Sequence, residues 1–208
     1  MTRWRITLAA AALYAVMWVG YRRHWAWVHG LDWSLLNAAR DVAIKHPAWV
    51  RFWDVFTFVF GPEPLRLIGL AVAIVLLVRR RVRAALLVVA CAPLNGLVTT
   101  GAKALANRPR PPTMLAYAPS TSFPSGHALE TTAAWLALLT LLLPVLSLSW
   151  RRAAIAVAAV VLVLVGVSRV ALNVHYPSDV LAGWALGYLY FLLCLTVFRP
   201  RSALVTAQ

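Results

Sequence analysis

The chain has very few acidic residues and almost no cysteine. Of its 208 residues only 6 are Asp or Glu, against 20 Lys or Arg, so the formal net charge is +14. The two cysteines, Cys91 and Cys194, both lie inside apolar runs, where free thiols act as small hydrophobic side chains. The sequence contains no disulfide framework, no acidic cluster and no Cys/His spacing typical of a metal site. We therefore expect neither a disulfide-stapled fold nor a metal cofactor.

Hydrophobic residues, by contrast, make up 62% of the chain, and the mean hydropathy is +0.76. A soluble domain is closer to half apolar. The basic residues cluster in short caps between the apolar runs, which is typical of membrane topology signals and not of a nucleic-acid-binding surface. We expect the bilayer to be the main solvent and nucleic acid not to be a partner.

Six apolar runs are long enough, or nearly so, to cross a bilayer as helices. The predicted spans are Ile6–Tyr21, Leu65–Val78, Ala84–Ala102, Ala128–Leu148, Ala153–Val167 and Val180–Phe198. Bulky residues end the first run where a signal peptidase requires small ones, which favours a retained anchor. With no linker or internal repeat, we predict an all-α integral membrane fold of six transmembrane helices, a single domain over residues 1–208.

The segment between the first two predicted spans, Arg22 to Phe60, is too polar to cross the membrane but rich in tryptophan. One helical face of it collects apolar residues, while Asp32 and other polar residues point elsewhere. The residues of the apolar face are Leu31, Leu35, Ala39 and Val42. These features predict an interfacial amphipathic helix between spans 1 and 2, closed by Pro47. A partner-binding surface is the alternative.

Basic residues at alternate span ends predict the orientation. They are Arg3, Arg5, Arg79–Arg81, Arg83, Arg151, Arg152, Arg199 and Arg201. With an even number of spans these ends share one face, which the positive-inside rule makes cytoplasmic. The third–fourth and fifth–sixth connections then share the outer face, and they hold every candidate for chemistry. We expect a bacterial-type inner membrane protein with its site on the outer, periplasmic face.

The first polar segment begins at Lys103 and continues as a proline-stiffened loop, Arg108 to Pro112, that cannot extend the helix. Snorkelling of these basic side chains to the interface is the alternative interpretation.

The second segment, Pro124-Ser125-Gly126-His127, directly precedes a span. A helix start with a glycine lets an anion approach unpaired N–H groups, and Ser125 supplies either a hydroxyl or the helix cap. An ordinary helix start with an incidental histidine is the alternative here.

The third polar segment runs from Ser168 to Asp179 and contains Arg169 and His175. Asp179 lies four residues after His175, close enough to accept its Nδ1 proton and leave Nε2 as a nucleophile or base. The alternative makes Asp179 a companion of the helix cap and His175 a loop residue. Taken together, the three segments supply several cations on one membrane face, and two arginines and a lysine are about what a phosphoryl group with roughly two negative charges requires.

The motifs Lys-x6-Arg-Pro, Pro-Ser-Gly-His and Ser-Arg-x5-His-x3-Asp, in that order, resemble the signature of the type 2 phosphatidic acid phosphatase superfamily. They are matched at Lys103, Arg110-Pro111, Pro124 to His127, Ser168-Arg169, His175 and Asp179. All three motifs are complete within residues 103–179, and the six apolar runs fit the membrane members of that family. The resemblance implies a phosphatase that needs no metal or other cofactor and works through a phosphohistidine.

The resemblance also implies a role for each residue. His175 would attack phosphorus, Asp179 would hold its tautomer, and His127 would protonate the leaving oxygen and then activate water. The phosphoryl oxygens would be bound by Lys103, Arg110, Ser125, Gly126 and Arg169. Arg108 begins a second Arg-Pro pair, but only Arg110 has the family's distance from Lys103. Glu130, one turn after His127 in an apolar span, is expected to support His127, contact a basic residue or face a wet cavity.

We therefore expect an integral membrane hydrolase of phosphoric monoesters or pyrophosphates, acting on a lipid phosphate at the outer face. Phosphatidate, phosphatidylglycerophosphate and undecaprenyl pyrophosphate all present a similar terminal phosphate to such a site. Two alternatives stay open: a lipid-phosphate binder or transporter without hydrolysis, and a membrane phosphatase for a sugar phosphate. The sequence does not indicate the oligomeric state.

Overall fold

The computed structural model describes residues 3–200, which form nine α-helices and one short 3-10 turn at Leu143–Val145. The helices are α1 (Arg3–Arg22), α2 (Ala26–Lys45), α3 (Pro47–Val59), α4 (Pro62–Val78), α5 (Val82–Cys91), α6 (Gly96–Ala106), α7 (Gly126–Leu142), α8 (Leu148–Ala171) and α9 (Pro177–Phe198). Proline stands at the first position of α3, α4 and α9, where its fixed φ and missing N–H cost nothing. Arg201, used above for orientation, lies outside the described residues.

Five helical segments of the described chain are long and apolar enough to cross a membrane. They are Pro47–Val78, Val82–Ala106, Gly126–Val145, Leu148–Ala171 and Pro177–Phe198. They contain the predicted second, third, fifth and sixth spans and most of the fourth, whose predicted end at Leu148 lies past Val145 at the start of α8. The first predicted span forms the 20-residue helix α1, which is not one of the five. The all-helical membrane class is therefore confirmed, while a sixth span through α1 stays a prediction.

The segment from Arg22 to Phe60 forms two helices instead of the single one predicted. Helix α2 ends at Lys45, just before Pro47 as expected, but Pro47 then begins α3 in the stretch that leads into α4. Leu31 and Leu35 of the predicted apolar face are exposed on the protein surface, whereas Asp32 lies on the face of α2 that packs against the bundle. An interfacial position for α2 stays a prediction.

Helices α7 and α9 pack closely in the middle of the bundle because α9 has glycine at the contact. A Cβ at Gly183 would lie 2.6 Å from the Ser125 carbonyl oxygen, and one at Gly187 would lie 2.5 Å from the Leu129 carbonyl oxygen. Small residues of this kind allow two helix backbones to approach each other. The backbone N–H of Ser125 then donates to the carbonyl oxygen of Asp179 at 2.9 Å, so the starts of α7 and α9 lie side by side.

Candidate active site

A cavity of about 410 Å³ lies where α6 and α8 end and α7 begins. Six of the eight predicted site residues line it: Lys103, Arg110, Gly126, His127, Arg169 and His175. The sequence predicted that these residues converge although they are distributed over 73 positions of the chain, from 103 to 175. The other two, Ser125 and Asp179, lie directly behind the cavity wall and are fully buried.

Helix ends position the cavity side chains. Asn107 adopts a left-handed conformation with φ of 48° and ends α6, which leaves Lys103 in the last turn, where its Nζ donates to the carbonyl oxygen of Thr121. Arg169 lies in the last turn of α8, and its Nη1 donates to Thr57 Oγ1 at 3.1 Å. Because both helices end at this level of the bundle, both cations point to the same space.

Ser125 is the N-cap of α7. Its Oγ accepts from the Ala128 N–H at 3.5 Å, and the residue does not line the cavity. Of the two roles that the sequence left open for Ser125, the structure shows the helix cap, and a contact with substrate stays a prediction. Gly126 and His127 follow in the first turn of α7 and do line the cavity, and the start of a helix is a favourable place for an anion.

Both ring nitrogens of His175 have charged neighbours that orient the ring. Its Nε2 lies 3.2 Å from Arg110 Nη1, and its Nδ1 lies 3.4 Å from Asp179 Oδ2. A guanidinium can only donate, so Nε2 must carry a lone pair and the proton belongs on Nδ1. Asp179 Oδ2 also accepts from the Tyr176 N–H at 2.9 Å and from Ser122 Oγ. Asp179 therefore serves both as a helix-start acceptor and as the partner of His175.

His175 is only 2% exposed, and this burial lowers its pKa well below the ordinary value. The cations Arg110, Lys103 and Arg169 lower the pKa further, because each repels a protonated imidazole. Both effects act in the same direction. His175 is consequently neutral near pH 7, with the Nε2 lone pair on the side of the cavity.

Arg108 and Arg110 occupy different environments although they are two residues apart. Arg110 lines the cavity, and its Nη1 and Nε donate to the carbonyl oxygens of Val174 and Ser120, each at 2.6 Å. Arg108 is buried and does not line the cavity; its guanidinium forms ion pairs with Asp179 Oδ1 at 2.6 Å and Asp32 Oδ2 at 2.7 Å. The geometry thus favours Arg110, not Arg108, as the arginine that meets an anion.

Four cations of the described chain line the cavity. Arg66 pairs with Glu130, whereas Lys103, Arg110 and Arg169 form no ion pair with a carboxylate anywhere in the described range 3–200. Lys103 and Arg169 are 8% and 6% exposed. Unpaired charge in a site so poorly solvated is costly and calls for a counter-ion. The arrangement therefore fits an anion of about two negative charges in the cavity.

Glu130 lines the same cavity and forms an ion pair with Arg66 of α4. Its Oε2 accepts from Arg66 Nη2 at 2.5 Å, and Arg66 Nη1 lies 3.8 Å from Glu63 Oε1. The expectation that Glu130 contacts a basic residue is confirmed, and so is its exposure to the cavity. Direct support of His127 stays a prediction.

Sequence reasoning missed three residues of the site, Asp32, Thr57 and Ser122. All three are buried and bind predicted residues: Asp32 pairs with Arg108, Thr57 with Arg169, and Ser122 with Asp179. None belongs to the three motifs. The scarcity of acids was the one available signal, because an Asp in a chain with so few carboxylates is a candidate partner for a buried arginine.

Comparisons with known proteins identify relatives and a family for this chain. The curated relatives include phosphatidylglycerophosphatase B of Bacillus subtilis (strain 168), 42% identical over 82 residues, which are 38% of this chain and 40% of that protein. They also include lipid A 1-phosphatase of Rhizobium johnstonii, 44% identical over 77 residues, which are 37% of this chain and 28% of that protein. The match therefore spans less than half the length of these relatives.

Among solved structures, the chain is similar to the crystal structure of a transmembrane PAP2-type phosphatidylglycerolphosphate phosphatase from Bacillus subtilis. The TM-score is 0.79 at 25% sequence identity, and the alignment covers 95% of this chain and 98% of the other. A family model described as the PAP2 superfamily matches residues 82–203, more than half of the chain and the whole motif segment. The resemblance inferred from the motifs is thus confirmed, and the protein belongs to the PAP2 superfamily.

Proposed function

We propose that the protein is an integral membrane phosphatase that hydrolyses a lipid phosphate or pyrophosphate at the outer membrane face through a phosphohistidine on His175. The observation that carries this proposal is the cavity itself. Three cations without carboxylate partners in the described range surround a neutral histidine whose Nδ1 lies 3.4 Å from the buried Asp179. Such a site both holds a phosphoryl group and supplies a nucleophile for it.

In the first step, the Nε2 lone pair of His175 attacks phosphorus, and the bond from phosphorus to the lipid oxygen breaks. His127 gives its proton to that leaving oxygen, so the lipid departs as an alcohol, or as a monophosphate when the substrate is a pyrophosphate. The imidazole becomes a cation as the N–P bond forms, and Asp179 stabilises it across the 3.4 Å contact. A positioned general acid of this kind contributes roughly 10²–10⁴-fold.

In the second step, His127 takes a proton from water, and the resulting hydroxide attacks phosphorus. The N–P bond breaks, Nε2 recovers its lone pair, and inorganic phosphate leaves. Lys103, Arg110 and Arg169 hold the equatorial oxygens in both steps, together with the N–H groups at the start of α7. Stabilising the charge on those oxygens is the main task in phosphoryl transfer, so we assign that role to these cations and not to a metal.

The outer-face position is supported by the opposite ends of the helices that form the cavity. Helix α4 lines the cavity near Pro62 and ends at Val78, beside Arg79–Arg81. Helix α8 brings Arg169 to the cavity and has Arg151 and Arg152 near its start. Clusters of arginine mark the cytoplasmic side, which puts the cavity at the other membrane face.

A lipid substrate is supported by both kinds of relative named above, because each of their names denotes removal of a phosphate from a lipid. The cavity opens among helices long enough to lie in a bilayer, so an acyl or isoprenyl tail can remain in the membrane while the headgroup enters. A binder or transporter would use the same three cations but gains nothing from a histidine backed by a carboxylate. For that reason we favour hydrolysis over binding alone.

The test is phosphate release by the purified protein in detergent, with a chelator present throughout. The panel contains phosphatidate, phosphatidylglycerophosphate, undecaprenyl pyrophosphate and, as a tail-free comparison, glucose 6-phosphate. We expect release from at least one lipid, weak release from the sugar phosphate, and none with His175→Ala. Lipid binding without turnover by the wild type would instead identify a binder, and activity that needs added metal would contradict the mechanism.

A further inference from the structure

Behind His175 lies a second charged group, in which two residues outside the fixed positions of the three motifs are linked to the motif residue Asp179. Asp32 of α2, Arg108 of the proline-rich loop and Asp179 of α9 form one buried chain of ion pairs, which we call the buried ion triad. We propose that Asp32 and Arg108 are positioning residues for the reaction, which set the charge and the orientation of Asp179 behind the nucleophile. This inference rests on the function proposed above.

The geometry of the buried ion triad is closely specified. Arg108 Nη1 donates to Asp179 Oδ1 at 2.6 Å, and Arg108 Nη2 donates to Asp32 Oδ2 at 2.7 Å. Ser178 fixes the other side, because its N–H donates to Asp32 Oδ1 at 2.9 Å and its Oγ donates to Asp32 Oδ2 at 2.7 Å. Asp32, Arg108 and Asp179 are 1%, 8% and 0% exposed. Water therefore cannot replace any of these partners.

Arg108 binds the carboxylates of Asp32 and Asp179 and is not available as a ligand for substrate phosphate. Both of its terminal nitrogens are bonded to carboxylates, and its guanidinium carbon lies 3.9 Å from the centre of the Tyr176 ring and 4.8 Å from that of Tyr21. Burial alone would lower the pKa of Arg108, but Asp179 and Asp32 outweigh it and raise the pKa. The side chain is therefore a fixed cation between two anions.

The net charge of the buried ion triad explains why Asp32 is needed. Asp179 and Arg108 alone would sum to zero, and a neutral pair would do little for the positive charge that His175 gains on phosphorylation. Asp32 restores one net negative charge behind the ring. At buried positions charges interact with an effective dielectric constant of about 20, so one added charge changes the energy of the imidazolium appreciably.

The pH dependence must account for every charged or titratable group around the nucleophile. On the cavity side these are Glu63 and Arg66 of α4, Lys103 of α6, Arg110 and Tyr117 of the loop, His127 and Glu130 of α7, and Arg169 of α8. On the buried side they are Tyr21 of α1, Asp32 of α2, Arg108 of the loop, Tyr176, and Asp179 of α9. The test below changes only the buried side, so the cavity groups act as a constant background.

The experiment measures kcat, KM and the pH dependence of kcat/KM in detergent, with the lipid of the panel that the wild type hydrolyses fastest. The variants are Asp32→Asn, Arg108→Gln and the double variant. Asp41→Asn is the matched control, because it removes the same charge from an exposed position of α2. The same substrate is used throughout, so its own titration is common to all the profiles.

We expect Asp32→Asn to lower kcat about tenfold with KM changed less than about twofold, since it affects the nucleophile and not the phosphate cations. The acid limb of the kcat/KM profile of Asp32→Asn moves to lower pH, because protonated His175 loses a stabilising anion. Arg108→Gln moves the limb to higher pH for the opposite reason. The double variant again leaves one net negative charge, so its limb returns near that of the wild type. Asp41→Asn leaves the profile unchanged.

A purely structural role would lower the rate equally at every pH and make the double variant at least as impaired as the worse single one. That result would overturn the inference. If Arg108→Gln does not fold, Asp32→Asn and the double variant still decide the question through their acid limbs. A wild type that is inactive on the whole panel would overturn the proposed function itself. Active variants whose acid limb stays at the wild-type pH would overturn only the role of the buried ion triad.

Discussion

The two sides of His175 are both rich in charge, but they differ in how that charge is paired. On the cavity side, Arg66 is paired with Glu130, but Lys103, Arg110 and Arg169 have no carboxylate partner within residues 3–200. On the buried side, Arg108 is held between two carboxylates. Arg108 and Arg110 are the same residue type in the same loop, so the pairing and not the residue type identifies the place that an anion fills.

This difference also separates two tasks. In the proposed mechanism, the cavity side binds the phosphate, and its cations keep their charge available until substrate arrives. The buried side does not contact substrate in that mechanism, and its arginine is paired within the protein. Changes on the cavity side should therefore affect phosphate binding, and changes on the buried side should affect stability and the nucleophile.

The largest effect is expected where the two sides meet. His175→Ala removes the nucleophile between them, and we expect phosphate release to fall about 10⁴-fold or more. His46→Ala, an exposed histidine between α2 and α3, is the control and should keep wild-type activity. Both are measured as initial rates of phosphate release. If His175→Ala kept substantial activity, the two sides would not be organised around this residue.

The next effect concerns stability on the buried side. Arg108→Gln leaves the carboxylates of Asp32 and Asp179 buried without their cation, which typically costs about 3–5 kcal/mol. Arg110→Gln removes a cation from a side that is already too positive, so it should leave stability nearly unchanged or raise it. Thermal unfolding in one detergent compares the two variants. Equal loss of stability in both would contradict the distinction between the two arginines.

For phosphate binding, we expect Arg110→Gln to have a larger effect than Arg108→Gln, the reverse of their order for stability. Arg110→Gln removes a donor for the phosphoryl oxygens and should lower kcat/KM about 10²–10³-fold. It should also weaken inhibition by inorganic phosphate, the reaction product. Arg108→Gln, or its double variant with Asp32→Asn, should retain that inhibition. The inhibition constant for phosphate in each variant checks this, and a retained constant in Arg110→Gln would remove the residue from the anion site.

The smallest effect is expected at the edge of the cavity, where Glu130 pairs with Arg66. Glu130→Gln keeps an oxygen acceptor for Arg66, so we expect kcat/KM to change less than about fivefold and the pH profile to keep its shape. Glu63→Gln, an exposed carboxylate near the same arginine, is the control. A large loss with an altered pH limb would show that Glu130 assists His127 and belongs to the chemistry.

The sequence predicted much of the cavity side and little of the buried side, for a physical reason. The proposed phosphate ligands lie at or near helix ends, and motif spacing together with apolar run length indicates which ends come together. Asp32 belongs to no motif, and its partner 76 residues away is set by how α2 packs on the bundle. Helical periodicity placed Asp32 outside the apolar face of α2. It did not show that the face with Asp32 packs against the bundle.

Helix α1 illustrates another boundary of prediction from composition. Its length is sufficient for a span, but arginine and aromatic residues lower its mean hydropathy, so its composition does not decide whether it crosses the membrane. Thr57 was missed for a related reason: it lies in a segment interpreted as interfacial, whereas α3 packs along α8 and brings Thr57 to Arg169.

The stereochemical course at phosphorus tests the central claim most directly, because it does not require the phosphohistidine to accumulate. The substrate is a lipid thiophosphate made chiral with oxygen isotopes and hydrolysed in isotopically labelled water. Attack by His175 followed by attack by water inverts phosphorus twice, so the account predicts net retention. Net inversion would mean that water displaces the lipid in one step, and the covalent role of His175 would be wrong.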